Sequence, residues 1–194
     1  VFNKGPKNPS DAAKFAGFRV TAAFAQGSKD ITESTVHVPD YTAKLQGMGV
    51  EIVDSIEKLC AQVDFVLLES NDGRVHLEQI LPVLKAGKTV FIDKPIAGSL
   101  ADVIRIQEAA KKAGVVYFCS SSLRFAASTQ AVAQGAVGKV KTAYTTSPAS
   151  LEPHHPDLYW YGVHGCESLY TVMGTGCLSV KRDKSAAGMI QVTG

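Results

Sequence analysis

Apolar positions in this chain switch between two periods, and the switching lays out a regular order of elements. Residues 18–25 read as a strand, with Gln26-Gly27-Ser28-Lys29 as its exit loop. A helix from about residue 39 to residue 48 ends at Gly49, and residues 50–53 form the next strand. Asp54, with Glu57 three residues on, makes a capping box for a helix to Gln62, followed by a strand over 63–68. A helix over 75–85 stops before Gly87 and a strand over 88–92. Ser99 and Asp102 then cap a helix through Lys112, with Leu100, Val103, Ile104 and Gln107 on one face, and Gly114 releases the chain into a strand over 115–119. Gly49, Gly87 and Gly114 stand where helices hand over to strands, the place that favours a left-handed cap. Helices and strands in strict alternation predict an α/β fold with a doubly wound parallel sheet.

At the amino end, residues 1–16 read as the tail of a helix, a polar turn and a short helix capped by Ser10 or Asp11. A dinucleotide fold also needs an earlier strand and a glycine-rich turn that receives the pyrophosphate. No Gly-x-Gly-x-x-Gly precedes Phe18, so the first βα unit is missing from this sequence and the chain is expected to be part of a longer polypeptide. After Ser120-Ser121-Ser122 the pattern changes. A helix to about Gln134 leads through Gly135-Ala136-Val137-Gly138 into a long alternating strand to Thr146, and two more strand-like runs close the chain. The expected domains are therefore 1–122 and 123–194, the second being the start of an α+β domain.

Within this framework the strand over 88–92 is buried in character and ends on Asp93-Lys94-Pro95. Ligands of open parallel sheets bind beyond the carboxyl ends of the strands, so Lys94 is placed to meet one. Pro95 ends the strand and allows a cis peptide that would aim the lysine in one direction. The segment resembles the Glu-Lys-Pro motif of the Gfo/Idh/MocA oxidoreductases, nicotinamide-dependent sugar and polyol dehydrogenases, with Asp93 in place of the glutamate. The likeness extends from about Phe18 to about Gly176. It implies a Rossmann domain, then a substrate domain built on a mainly antiparallel sheet that often also pairs subunits, so a homo-oligomer is expected. It further implies NAD or NADP as cofactor and a carbohydrate-like small-molecule substrate, with Lys94 touching the reacting hydroxyl.

Other candidates follow the same resemblance. Glu69-Ser70-Asn71-Asp72-Gly73 stands where the family often has Thr-Pro-Asn against the cofactor, so Asn71 and Asp72 are candidate cofactor contacts, with an Asx turn as the competing reading. Asp93, Lys94 and Pro95 belong to the same group. Ser28 and Lys29 occupy the loop where an NAD enzyme normally places an acid, and they suit a 2′-phosphate. His76 matches a family histidine and reads mainly as structural. Gly162-x-His164 at a helix start resembles the family's Asp-x-Gly-x-His-x-x-Asp pattern, with Trp160 replacing the first acid and Glu167 the second. His164 is thus the candidate base, and Trp160, Glu167 and Arg124 are candidate substrate contacts. His154, His155 and Asp157 offer a rival metal set, but adjacent histidines flanked by prolines cannot readily face one ion, and no metal is expected.

Composition narrows the partners. Twenty basic and 18 acidic residues are interspersed, giving a net charge of +2, so neither nucleic acid nor a membrane surface is an expected partner. Cys60, Cys119, Cys166 and Cys177 show no paired spacing, which suits a reducing cytoplasm. The leading expectation is hydride transfer between a nicotinamide and a CH–OH group of a sugar, cyclitol or polyol, with Lys94 and His164 on one hydroxyl. The alternatives are a glycoside-cleaving enzyme that uses its cofactor transiently and a non-catalytic member used for binding or assembly.

Overall fold

A computed structural model describes residues 2–185 and 188–194, and the chain divides into two compact units, residues 1–119 and 120–194. The first unit carries strands β1 (Ala22–Phe24), β2 (Glu51–Val53), β3 (Phe65–Leu68), β4 (Thr89–Ile92) and β5 (Tyr117–Cys119), with helices α1 (Thr32–Gln46), α2 (Ile56–Gln62), α3 (His76–Lys85) and α4 (Leu100–Ala113) between them. Every strand pair in this unit is parallel. The strands form two ladders, β1 with β2 and β3-β4-β5, where the sequence pattern suggested one continuous sheet. β1 pairs along one edge only, with β2, and β3 pairs only with β4, so no backbone bonds join the ladders among the described residues.

Alternation along the central strands builds the core. Val66 and Leu68 on β3 and Val90 and Ile92 on β4 point to one face, where Ile80, Val83 and Leu84 of α3 and Ile106 and Ala110 of α4 cover them. Fully burying a side chain such as Ile80 or Ile106 stabilises the fold by about 1.5–3 kcal/mol. The opposite face carries Leu67, Phe91 and Phe118, the last still 48% exposed, with Phe91 and Phe118 in contact at 5.3 Å between ring centroids.

Several local expectations are corrected. The first strand is paired only over Ala22–Phe24, because Asn3 takes both backbone groups of Val20, accepting its N–H at 2.9 Å and donating to its carbonyl at 2.8 Å. The short helical stretch near the amino end is a 3-10 helix, Pro9–Phe15, capped by Asn8 rather than by Ser10 or Asp11; residue 1, placed by the sequence pattern in a preceding helix, lies outside the described residues. α1 begins at Thr32 and keeps Pro39 inside it, since burial of Ile31 and of Ser34 anchors its first turn despite the N–H that proline lacks. The cap of α2 is Ser55, whose hydroxyl accepts the Lys58 N–H, while Asp54 pairs with the Lys58 ammonium in solvent. On α4 the inward positions are Val103, Ile106 and Ala110, whereas Leu100 and Ile104 are exposed. A hydrophobic stripe leaves a rotation of this size open, and contact with the sheet decides it. Ser99 caps α4 as expected, and Gly114 ends it in the left-handed region at φ 66°.

The second unit holds α5 (Ala127–Ala133), α6 (Val163–Met173) and an antiparallel pair, β6 (Lys181–Lys184) with β7 (Ile190–Thr193). The long strand expected up to Thr146 is absent. Residues 142–150 run without a ladder, and an alternating segment becomes a strand only when a neighbour takes its backbone groups. No helix among the described residues is long and apolar enough to cross a membrane.

Candidate active site

In the first unit, three segments meet beyond the carboxyl ends of the strands: the loop after β1, the turn after β3 and the turn after β4. Asp72 is their common anchor, with its side chain only 1% exposed. It accepts hydrogen bonds from the Arg74 backbone N–H at 2.9 Å, from the Arg74 guanidinium, and from the Ser28 hydroxyl. Burial pushes the Asp72 carboxyl up, but the bonds from Arg74 and Ser28 outweigh it and hold its pKa at about 2. Arg74 reaches on to Asp30 with two bonds of 2.9 Å, which fastens the loop after β1 to the turn after β3. Asn71 is held from the same side by the Ser34 hydroxyl, which donates to Oδ1 at 2.7 Å and leaves the Asn71 amide Nδ2 as a donor.

The turn after β4 is packed as tightly. Lys94–Pro95 is a cis peptide, and the Asp93 N–H donates to the Leu68 carbonyl at 2.8 Å, extending the β3–β4 ladder to the tip. A Cβ on Gly73 would lie 2.7 Å from the Ala97 carbonyl carbon and 2.8 Å from Pro95 Cγ, so only glycine permits this approach. His76 is fully buried, with Nε2 at 2.7 Å from the Ser70 carbonyl and Nδ1 at 3.1 Å from the Ile96 carbonyl, and it ties the two turns together. Glu69 follows β3 as Asp93 follows β4. Burial and the Asp93 carboxylate both raise its pKa.

The structure thus brings Ser28, Asn71, Asp72, Asp93, Lys94 and Pro95 to one end of the strands, while Lys29 is exposed on the loop beside them. Ser28 differs from expectation in its use: its hydroxyl hydrogen is committed to Asp72. Sequence reading missed Asp30 and Arg74. Their signal was an acid and a base of opposite sign in two strand-end loops, 44 residues apart, which no local pattern connects.

In the second unit, α6 carries His164 in its first turn and Glu167 three residues on. Glu167 accepts the Ser121 backbone N–H and the Arg124 Nε–H, and His164 Nδ1 lies 2.7 Å from the Ser121 hydroxyl. The Tyr161 ring stands edge-on to His164 at 4.9 Å. Gly165 admits the neighbouring chain: a Cβ there would lie 2.8 Å from Ser147 Oγ. Trp160 is 8% exposed and packs against His155 at 4.8 Å between ring centroids, and His155 and His154 each contact Glu152 at 2.7 Å. Glu152 is lowered on balance: its own burial raises it, and the bonds from His155 and His154 lower it further. Among the described residues no three of His, Cys, Asp and Glu are grouped to hold a metal ion.

A family model described as "Oxidoreductase family, NAD-binding Rossmann fold" matches residues 11–121, more than half of the chain. The chain belongs to this family. The matched span of this Gfo/Idh/MocA member contains the loop after β1 and the turns after β3 and β4. Among curated proteins the chain is similar to 1,5-anhydro-D-fructose reductase of Ensifer adhaerens, 35% identical over 113 residues, which covers 56% of this chain and 34% of that protein. It is similar also to myo-inositol 2-dehydrogenase of Thermotoga maritima, 36% identical over 107 residues, covering 53% of this chain and 31% of that one. The matches thus span about a third of these relatives' lengths. A crystal structure of a probable dehydrogenase from Thermotoga maritima shares the fold, with a TM-score of 0.57 at 23% identity, covering 79% of this chain and 57% of that one.

Proposed function

We propose that the protein is an NAD(P)-dependent oxidoreductase that moves hydride between a nicotinamide cofactor and a hydroxyl or keto group of a sugar, cyclitol or related polyol. The observation that carries this reading is Lys94, which leaves the tip of β4 inside the family-matched span and next to the turn that displays the Asn71 amide. The names of the two curated relatives support the substrate class.

In this reading the Lys94 ammonium holds the reacting oxygen and stabilises negative charge developing on it. His164 handles the proton of that oxygen, a role for which histidine is suited near neutral pH. Asn71 Nδ2 and the backbone around Asp93 and Pro95 hold the cofactor, and exposed Lys29 meets a 2′-phosphate where one is present. Ser28 and Asp72 act from beneath, by keeping the loops in place. Arg124 and Glu167 shape the substrate side together with Trp160, whose ring packs on His155. The bound nicotinamide would supply the hydride acceptor or donor. A cytoplasmic location and pairing of subunits through the second unit's sheet accompany this reading, and sedimentation of the purified protein tests the pairing.

The deciding experiment incubates the protein with NAD or NADP and a panel of cyclitols, aldoses and uronic acids, and follows reduced nicotinamide. Substrate-dependent formation of NADH or NADPH supports the proposal. Release of free sugar with no net cofactor change would replace it with glycoside cleavage. Cofactor binding with no turnover on any member of the panel would replace it with a binding role.

A further inference from the structure

Ser121 stands two residues after the end of β5, is fully buried, and is given no site role by the sequence pattern. Its backbone N–H is held by Glu167, which Arg124 holds in turn. Its hydroxyl oxygen accepts the Leu123 N–H at 3.1 Å and lies 2.7 Å from His164 Nδ1. These contacts permit a donor count. A serine hydroxyl has one hydrogen to give and two lone pairs, and a buried hydroxyl that donates to nothing is destabilised by about 1–3 kcal/mol. Leu123 N–H can only donate, so of the groups placed against Oγ among the described residues the one able to receive the hydroxyl hydrogen is His164 Nδ1. A neutral imidazole whose Nδ1 accepts must carry its own hydrogen on Nε2.

We infer that Ser121 is a positioning residue that holds neutral His164 in the Nε2–H tautomer, so that the ring meets a substrate oxygen first as a hydrogen-bond donor. The inference rests on the proposed proton-handling role of His164 and deepens it. A carboxylate in the place of Ser121 would do the reverse: it would fix the hydrogen on Nδ1 and leave Nε2 as a base. With a hydroxyl there, the neutral ring suits an oxygen that only accepts, such as a ketone. Removing a hydroxyl proton at Nε2 requires the Nδ1–H tautomer, in which the Ser121 hydroxyl turns from donor to acceptor. Ser121 therefore biases the site toward binding the keto side of the reaction. Its backbone is pinned through Glu167 and Arg124, so this bias is built into the second unit before any ligand arrives.

The test reads the tautomer itself. Protein labelled with ¹⁵N-histidine is examined by two-bond ¹H–¹⁵N correlation at about pH 9, above the ordinary histidine range. The chain has five histidines, and the signal missing from His164→Gln assigns the ring. The expected spectrum has a protonated Nε2 and a bare, hydrogen-bonded Nδ1. In Ser121→Ala the Nδ1 resonance should move toward that of an unbonded nitrogen, Ser121→Thr should restore it, and KM for a keto substrate should rise several-fold in the alanine variant while KM for the alcohol holds. A hydrogen on Nδ1 in the wild-type spectrum, or a Ser121→Ala spectrum unchanged at His164, would overturn the inference. The wild-type spectrum decides even if Ser121→Ala does not fold. It needs no turnover, so it is separable from the catalytic reading, which fails instead if His164→Ala keeps normal activity.

Discussion

Arg74 grips Asp30 with two parallel bonds of 2.9 Å across 44 residues, and the same guanidinium also holds Asp72 in the turn that it begins. Two strand-end loops are thereby fixed to each other by one side chain. A planar guanidinium suits this use, because its forked donors can satisfy two carboxylates at once. The exposed half of the network, Asp30, is screened by water, and the buried half, Asp72, is not.

Arg74→Met should therefore cost about 3 kcal/mol of stability, since it strands the buried Asp72 carboxylate. Asp30→Asn should cost less than about 1 kcal/mol, as expected of a largely exposed pair. Urea unfolding of both variants checks the difference. Equal losses would show that the burial of Asp72 is not what makes the network matter.

Acid should weaken the fold through Asp72. Its folded pKa of about 2 lies below the ordinary value of 3.8, so the folded state favours the ionised form. The stabilisation is fully present above the unfolded value and is lost as pH falls from about 4 toward about 2, at a magnitude on the order of 2 kcal/mol. Thermal unfolding from pH 5 to pH 2 should show this loss in the wild type and a shallower one in Asp72→Asn. Parallel curves for the two proteins would count against it.

Lys94→Met and His164→Ala should each lower kcat by orders of magnitude with cofactor affinity nearly intact, since a positioned general acid or base contributes about 10²–10⁴-fold. The double variant should be little worse than either single if, as proposed, both groups serve one proton and one oxygen. Steady-state kinetics on a verified substrate, with cofactor titration, is the measurement. Near-normal turnover in both singles would remove these residues from the chemistry.

Lys29→Ala should weaken NADP binding by several-fold and leave NAD unaffected if the exposed lysine meets the 2′-phosphate. Fluorescence titration of both cofactors decides it. A strong preference for NAD that the substitution does not alter would end that role.

At α2 the two neighbouring candidates for the cap separate cleanly. Ser55→Ala should cost about 1 kcal/mol, because its hydroxyl satisfies the Lys58 N–H. Asp54→Ala should cost clearly less than that, since it removes only an exposed pair with Lys58. Thermal unfolding of the two variants ranks them, and the reverse order would restore Asp54 as the cap.

The sequence by itself determined the order of helices and strands from residue 50 to residue 119, because period, caps and glycines are local signals. Gly114 after α4, Ser99 before it, and Lys94 at the tip of β4 all lie where the pattern put them. What depends on partners far along the chain was decided only by the tertiary structure. The alternating run up to Thr146 finds no strand partner among the described residues and stays out of a ladder, Pro39 is carried inside a helix by the burial of Ile31 and Ser34, and α4 turns Ile106 rather than Ile104 inward. The same holds at the candidate site. Lys94 and His164 announce themselves through motifs, but the links from Arg74 to Asp30 and from Ser121 to His164 are hydrogen bonds across more than 40 positions. A hydrogen bond across that distance leaves no periodic trace, because its geometry exists only once the chain has packed.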